Sequence, residues 1–142
     1  MNIYLIGSLR NPEIPIIGNR LRNEGINVFD EWHDAGPEAD DYWKKDQQIR
    51  GRTYAEALKS YAAQHIFEFD KYHLDRCDSA LLVLPAGRSG HIEIGYMIGK
   101  GKPSYILFDK DSDRWDVMYQ FADGIFFDIE ELIKELKQDA SF

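Results

Sequence analysis

Apolar positions along the chain fall into short dense runs that alternate with stretches of helical spacing, and this alternation lays out the elements. Asn2 to Ile6 is an apolar run of strand length that ends at Gly7 and Ser8. Glu13 to Asn23 follows with Ile16, Ile17 and Leu21 at roughly helical steps, and Gly25 reads as its stop. Ile26 to Phe29 is a second short strand. The stretch DEWHDAGPEADDYW after it is too irregular for a core element and is expected to form a long loop, a kind of segment that in a compact domain usually carries function. From Thr53 to Arg76 there is no Gly or Pro, and Ala55, Leu58, Ala62, Ile66, Phe69 and His73 recur at three- and four-residue steps, which predicts one long amphipathic helix. Ser79 to Leu84 is almost wholly apolar, as a strand buried on both faces requires. Pro85 to Gly90 reads as a tight loop, His91 to Ile98 as a helix closed by Gly99 and Gly101, and Ser104 to Phe108 as another strand. A short helix at Asp116 to Phe121, a strand at Gly124 to Phe127 and a helix from Ile129 to Lys137 follow.

Strands alternating with helices predict a parallel sheet covered on both faces and joined by right-handed crossovers. Five strands fit an α/β doubly wound fold, flavodoxin-like in strand order. No repeat, linker or shift of composition divides the chain, so residues 1 to 142 read as a single domain. In such sheets ligands bind beyond the carboxyl ends of the strands, where the strand order switches. The loops Gly7 to Asn11, Trp32 to Trp43 and Pro85 to Glu93 are expected to meet there.

Charge narrows the partners. With 17 Lys and Arg against 25 Asp and Glu, the formal charge is -8, which argues against a nucleic acid polymer because phosphate neutralisation needs a basic face. A small neutral or anionic ligand in a local pocket remains allowed. The single cysteine, Cys77, can form neither an internal disulfide nor a multi-cysteine metal site, and a reducing cytoplasm fits it. The apolar run from Met1 to Gly7 is too short for a signal peptide or a membrane span, so a cytoplasmic protein without membrane contact is expected.

Two carboxylates stand out. Glu93 falls in the first turn predicted after the most buried strand, where the helix dipole favours the ionised form suited to a nucleophile or base; merely complementing the dipole is the alternative. Asp70 shares a face of the long predicted helix with Leu74 and Cys77, a costly place for a carboxylate unless it opens on a pocket; its alternative is a rim residue paired with Lys71 or His73. Two carboxylates in one pocket allow glycosidic chemistry, in which one attacks the sugar carbon and the other handles the proton, and equally other hydrolyses. Asp78 reads as a turn residue. Gly87, Arg88, Ser89 and Gly90 offer backbone N–H groups, a guanidinium and a hydroxyl, the parts of a small anion site or of an ordinary strand-to-helix turn. Trp32, Tyr42 and Trp43 lie on the predicted loop, where they can stack on a flat base or form a satellite apolar cluster. The histidines, His33, His65, His73 and His91, lack metal-ligand spacing, and neither a metal nor a cofactor is called for.

These residues resemble the nucleoside 2-deoxyribosyltransferase family, including the related deoxynucleoside 5′-monophosphate N-glycosidases. The resemblance is carried by IYLIGS, FDKYHLDRCDSALLVL and SGHIEIGYMIGKGKPSYIL, with Asp70, Asp78, Glu93, Gly95 and Lys102-Pro103 in the family's layout. It implies that Glu93 attacks C1′ of the deoxyribose and holds a covalent glycosyl intermediate, that Asp70 binds the departing base or handles its proton, and that Tyr4 lies near the nucleophile. Gly7 and Ser8 at the first strand's end, Trp32, Trp43 and the Gly87–Gly90 turn are the accompanying substrate-binding candidates. WDVMYQ resembles the stretch by which a neighbouring subunit completes the sugar pocket, so Asp116 and Met118 are expected there and a homodimer or larger assembly follows. Family members carry Asn or Ser where this chain has Asp116. That negative charge favours a free 5′-hydroxyl, whereas Arg88 favours a 5′-phosphate.

The resemblance therefore implies transfer of deoxyribose from a 2′-deoxyribonucleoside to another base. Hydrolysis of nucleoside 5′-monophosphates is the alternative on the same scaffold, and a non-catalytic nucleotide sensor is the alternative from another class.

Overall fold

The computed structural model describes residues 1–140. Five strands, β1 (Asn2–Ile6), β2 (Asn27–Phe29), β3 (Ser79–Leu84), β4 (Ser104–Phe108) and β5 (Gly124–Phe126), form one all-parallel sheet in the order β2-β1-β3-β4-β5. This is the doubly wound, flavodoxin-like arrangement, with the order reversing at β1 and β3. The helices are α1 (Ile14–Arg22), α2 (Ala39–Ile49), α3 (Tyr54–Ala57), α4 (Tyr61–Arg76), α5 (Arg88–Gly99) and α6 (Ile129–Ala140).

Alternation along the strands sorts the core into two layers. Ile3, Leu5, Leu81, Val83, Tyr105 and Leu107 pack with α1 and α6, through Ile14, Ile17, Leu21, Leu132, Ile133 and Leu136. Tyr4, Ile6, Ala80, Leu82, Leu84 and Ile106 face the other way and meet Leu74 and Cys77 of the α4 end and Ile94 and Met97 of α5. β3 lies at the centre of the sheet and is buried at every residue, as its unbroken apolar run requires.

The region from Asp30 to Ser60 departs from expectation. The stretch read as a loop holds a short 3-10 turn, Glu31–Ala35, and then α2. The helix predicted from Thr53 to Arg76 is broken in two. The Thr53 hydroxyl accepts from the Glu56 N–H in a reciprocal capping box that starts α3, and the Ser60 hydroxyl accepts from the Ala63 N–H at 3.2 Å to start α4. A side-chain oxygen that satisfies the first N–H groups favours a helix start over helix continuation.

The predicted apolar stripe is also not a buried stripe. On α4 Leu74 alone is buried, while Ile66 is 52% exposed, Phe69 42% and, on the α3 end, Leu58 53%. Only the carboxyl-terminal turn of α4 sits on the sheet: Leu74 and the following Cys77 join the buried layer, and the apolar side chains nearer its start do not.

Candidate active site

Gly90 fixes how α5 approaches the sheet. A Cβ there would lie 3.2 Å from Ile6 Cγ2, 3.2 Å from Leu82 Cδ1 and 3.3 Å from Ala86 Cβ. The bare glycine lets the first turn of α5 sit close over β1 and β3. One turn later Glu93 is thereby carried over β1, where the buried Tyr4 hydroxyl donates to Glu93 Oε2 at 3.5 Å.

α5 begins at Arg88 rather than His91, so Glu93 is its sixth residue and stands in the second turn. The expectation that the helix dipole holds it ionised is corrected accordingly. Burial, and then the negative charge of Asp70, push its carboxyl up to about 7, against which the Tyr4 hydrogen bond works. Asp70 lies opposite on α4, half-buried, and burial pushes it up to about 6. The rim alternative for Asp70 does not hold: Lys71 pairs with Asp75 at 2.9 Å, and His73 stacks on Phe29 with ring centres 4.0 Å apart. Tyr4 feels both carboxyls and its phenol is raised far above the ordinary range, chiefly by burial, so it stays a donor.

Glu93, Asp70 and Tyr4 thus converge on one cleft between α4 and α5, over a face of the sheet. Phe29, Phe69 and His73 wall it on the β2 side, with Tyr4 and Phe29 at 5.3 Å and Phe69 and His73 at 4.7 Å. Their spacing had predicted Phe69 and His73 as part of a packing stripe; that the two stand four residues apart, on either side of Asp70, was the available signal. What the arrangement offers chemically is two raised carboxyls, one backed by a phenol, in surroundings that disfavour negative charge.

The remaining sequence candidates have surroundings of their own. Gly7 lies against α1, where a Cβ would meet Ile14 Cδ1 at 2.5 Å, and the Ser8 hydroxyl accepts from the Arg10 N–H at 3.1 Å. Trp32 donates its indole N–H to the Leu5 carbonyl at 2.7 Å and packs on both core layers, the satellite-packing alternative. Trp43 is half-buried with its Nε1 shielded and unpartnered. Gly87, Arg88 and Ser89 are exposed at the start of α5, and Arg88 enters no ion pair among the described residues.

Asp116 and Met118 are not brought to Glu93 within the protomer. Asp116 Oδ1 accepts from the Met118 N–H at 2.8 Å and starts a 3-10 turn, Val117–Phe121. Both line a separate groove of about 970 Å³ on another side of α5, with His91, Gly95 and Phe108. His91 ties that groove to the helix start, donating from Nδ1 to the Gly87 carbonyl at 2.7 Å and meeting the Tyr119 hydroxyl at 2.9 Å. Asp78 acts as the turn residue expected, accepting from the Asn2 N–H and the Ser79 hydroxyl, each at 3.1 Å. Among the described residues no helix is long and apolar enough to cross a membrane, and no three His, Cys, Asp or Glu side chains are grouped to hold a metal ion.

The class defined by this fold and cleft is a flavodoxin-like α/β protein with a tyrosine-backed carboxyl pair. Neither a family model nor a curated protein sequence matches the chain. Solved structures do. The chain is similar to a 2-deoxyribosyltransferase of Bacillus psychrosaccharolyticus at 17% identity, over 94% of this chain and 90% of that one, with a TM-score of 0.62. It is similar to a conserved protein of Enterococcus faecalis V583 at 14% identity, over 98% of each chain, with a TM-score of 0.67. It is also similar to a CMP N-glycosidase of Clostridium botulinum at 15% identity, over 96% of this chain and 99% of that one, with a TM-score of 0.53. At these identities what is shared is the fold.

Proposed function

We propose that this protein cleaves the N-glycosidic bond of 2′-deoxyribonucleosides through a glycosyl ester on Glu93 and transfers the deoxyribose to another base. The observation that carries the reading is the cleft between α4 and α5, where Glu93 accepts from Tyr4 and faces Asp70. The pair holds about one proton near neutral pH, because burial raises both carboxyls and the charge of Asp70 raises Glu93 further. Reaction proceeds from the form with the proton on Asp70. A Glu93 oxygen bonds to C1′, the C1′–N bond breaks, its electron pair leaves with the base, and Asp70 gives the base its proton. The Tyr4 hydroxyl orients the ionised Glu93. A second base then attacks C1′ from the vacated side, loses its proton to Asp70 and releases Glu93, so configuration is retained over two displacements.

The likeness in fold to a protein described as a 2-deoxyribosyltransferase supports this reading. Likeness to a CMP N-glycosidase, together with an exposed Arg88 that enters no ion pair among the described residues and stands beside Ser89 at the start of α5, favours a second reading, hydrolysis of nucleoside 5′-monophosphates. In both readings the protein acts as a homo-oligomer in the cytoplasm, without a cofactor. The segment that carries Asp116 is strongly exposed, with Trp115 94% and Phe121 71% open to solvent, as befits a stretch that completes the sugar pocket of a neighbouring subunit.

Incubation with a deoxynucleoside and a free acceptor base, followed by chromatography, tests the main reading. Exchanged nucleoside is expected. Free base without exchange, from monophosphates only, selects the second reading; no product from either substrate with folded protein overturns both. A 2-fluorinated nucleoside analogue is expected to leave its sugar on Glu93, as located by mass spectrometry.

A further inference from the structure

The two helices that carry Glu93 and Asp70 also meet through a second polar cluster that the proposed reaction does not use. Asp75 of α4 accepts from the Tyr96 hydroxyl of α5, and from Lys100 Nζ beyond the end of α5 at 3.1 Å. Lys100 reaches the Tyr96 hydroxyl at 3.1 Å and lies 5.0 Å from the centre of its ring. Lys71, one turn before Asp75, holds the other carboxylate oxygen at 2.9 Å. The Tyr96 hydroxyl, and after it the two ammonium groups, hold the Asp75 carboxyl well below the usual range. The Tyr96 ring meanwhile packs against the buried layer beneath α5.

Each end of this contact adjoins one member of the carboxyl pair. Tyr96 follows Glu93 by three residues, about one turn, and Asp75 follows Asp70 by five. Glu93 and Asp70 themselves share no cation, since no ion pair among the described residues includes either. α4 has Leu74 as its one buried residue, so contacts between α4 and α5 such as this one bear directly on the spacing of the two helices. The network is well exposed at its lysines, where ion pairs contribute little to stability.

We propose that Tyr96, acting through Asp75 and Lys100, is a strut between α4 and α5 that sets the distance between Glu93 and Asp70, which makes Tyr96 a positioning residue for the cleft. The inference rests on Glu93 and Asp70 being the reactive pair. The groups facing Glu93 are Tyr4 from β1 and Asp70 from α4; His73 of α4 is stacked on Phe29, and Ala80, Leu82, Leu84 and Ile106 present no charge from β3 and β4. Loosening the strut lets the carboxyls separate and admits water, and both changes ease the ionisation of Glu93.

Tyr96→Phe removes the hydroxyl, keeps the ring and changes no charge. The test is a carbon-13 titration of protein labelled at glutamate side-chain carboxyls, with the Glu93 signal assigned by its loss in Glu93→Gln. The expected result is a Glu93 midpoint lower than in the parent by about half a pH unit or more. Base exchange should lose about tenfold or more in kcat, with KM nearly unchanged, because binding survives while alignment does not. If Tyr96→Phe does not fold, Asp75→Glu keeps the charge, lengthens the strut by one methylene and is read in the same way. An unmoved Glu93 midpoint in a protein that still exchanges bases overturns the strut and leaves the reaction standing. A moved midpoint in a protein that exchanges no base supports the strut and counts against the reaction, since this readout needs no turnover.

Discussion

Replacing Glu93 with Gln should stabilise the folded protein, and the gain should depend on pH. In the fold the Glu93 carboxyl is raised from 4.5 to about 7, first by burial and then by Asp70. The folded state therefore binds a proton more tightly than the unfolded chain does. Below about 4.5 both states are protonated and the site costs nothing; as pH climbs past 7 both release the proton, and the folded state alone suffers the desolvation. A rise of this size corresponds to about 3 kcal/mol, trimmed to about 2 kcal/mol because Glu93 is half-buried and partly screened by water. Gln is neutral, nearly isosteric, and can accept the Tyr4 hydroxyl, so it keeps the geometry and removes the charge. Urea unfolding of both proteins should show Glu93→Gln more stable by about 2 kcal/mol near pH 8, shrinking below about 1 kcal/mol near pH 5. The corresponding rise in melting temperature near pH 8 is about 6 °C. Loss of base exchange in this more stable variant would mark a site where stability is traded for chemistry. A difference that is the same at both pH values, or a loss of stability at the higher one, would refute the reasoning from burial.

Tyr4→Phe removes the one hydrogen bond that favours ionised Glu93, so the Glu93 midpoint should move above about 7, and carboxyl titration or the acidic limb of the rate profile reads it. Lys102→Met should lower stability by about 1–2 kcal/mol in urea unfolding, because Lys102 Nζ donates to the carbonyls of Leu74, Asp75 and Cys77 at 3.1, 3.0 and 2.8 Å and closes the end of α4. Gly18→Ala should cost roughly 2 kcal/mol in the same assay, since its Cβ would stand 2.1 Å from Oδ2 of the buried Asp30, which Arg22 holds at 2.5 Å. Glu93→Gln and Asp116→Ala, each inactive alone, should recover base exchange when mixed and re-assembled, because one hybrid site is intact; a mixture that stays inactive would show that Asp116 does not serve a neighbour's pocket.

The fold was largely legible because its signals are local. The run Ser79–Leu84 can be satisfied only by burial on both faces, and the glycines at 25, 99 and 101 close helices where the apolar pattern ends, so strand number and alternation follow. The break between α3 and α4 was missed because Thr53 and Ser60 look like ordinary helix positions until their hydroxyls are seen on the N–H groups three residues on. Likewise the apolar spacing of α4 predicted a buried face, but burial depends on what lies opposite, and only the Leu74 end of α4 meets the buried layer of the sheet.

The candidate site divides along the same line. Residue identities and their spacing pointed by themselves to Glu93 and Asp70 as the carboxyls to consider, and the family resemblance added Tyr4 beside the nucleophile. Only the tertiary structure decided their state, because a pKa is set by water and by charges that are distant in sequence: Asp70 and Tyr4 lie 23 and 89 residues from Glu93. The helix dipole, read from position alone, pointed to an ionised Glu93. Burial and a facing carboxyl outweigh it, since both act directly on a half-buried group, whereas the dipole fades beyond the first turn. For the same reason the Tyr96–Asp75 contact had no trace in the sequence, being created by two helices that pack side by side.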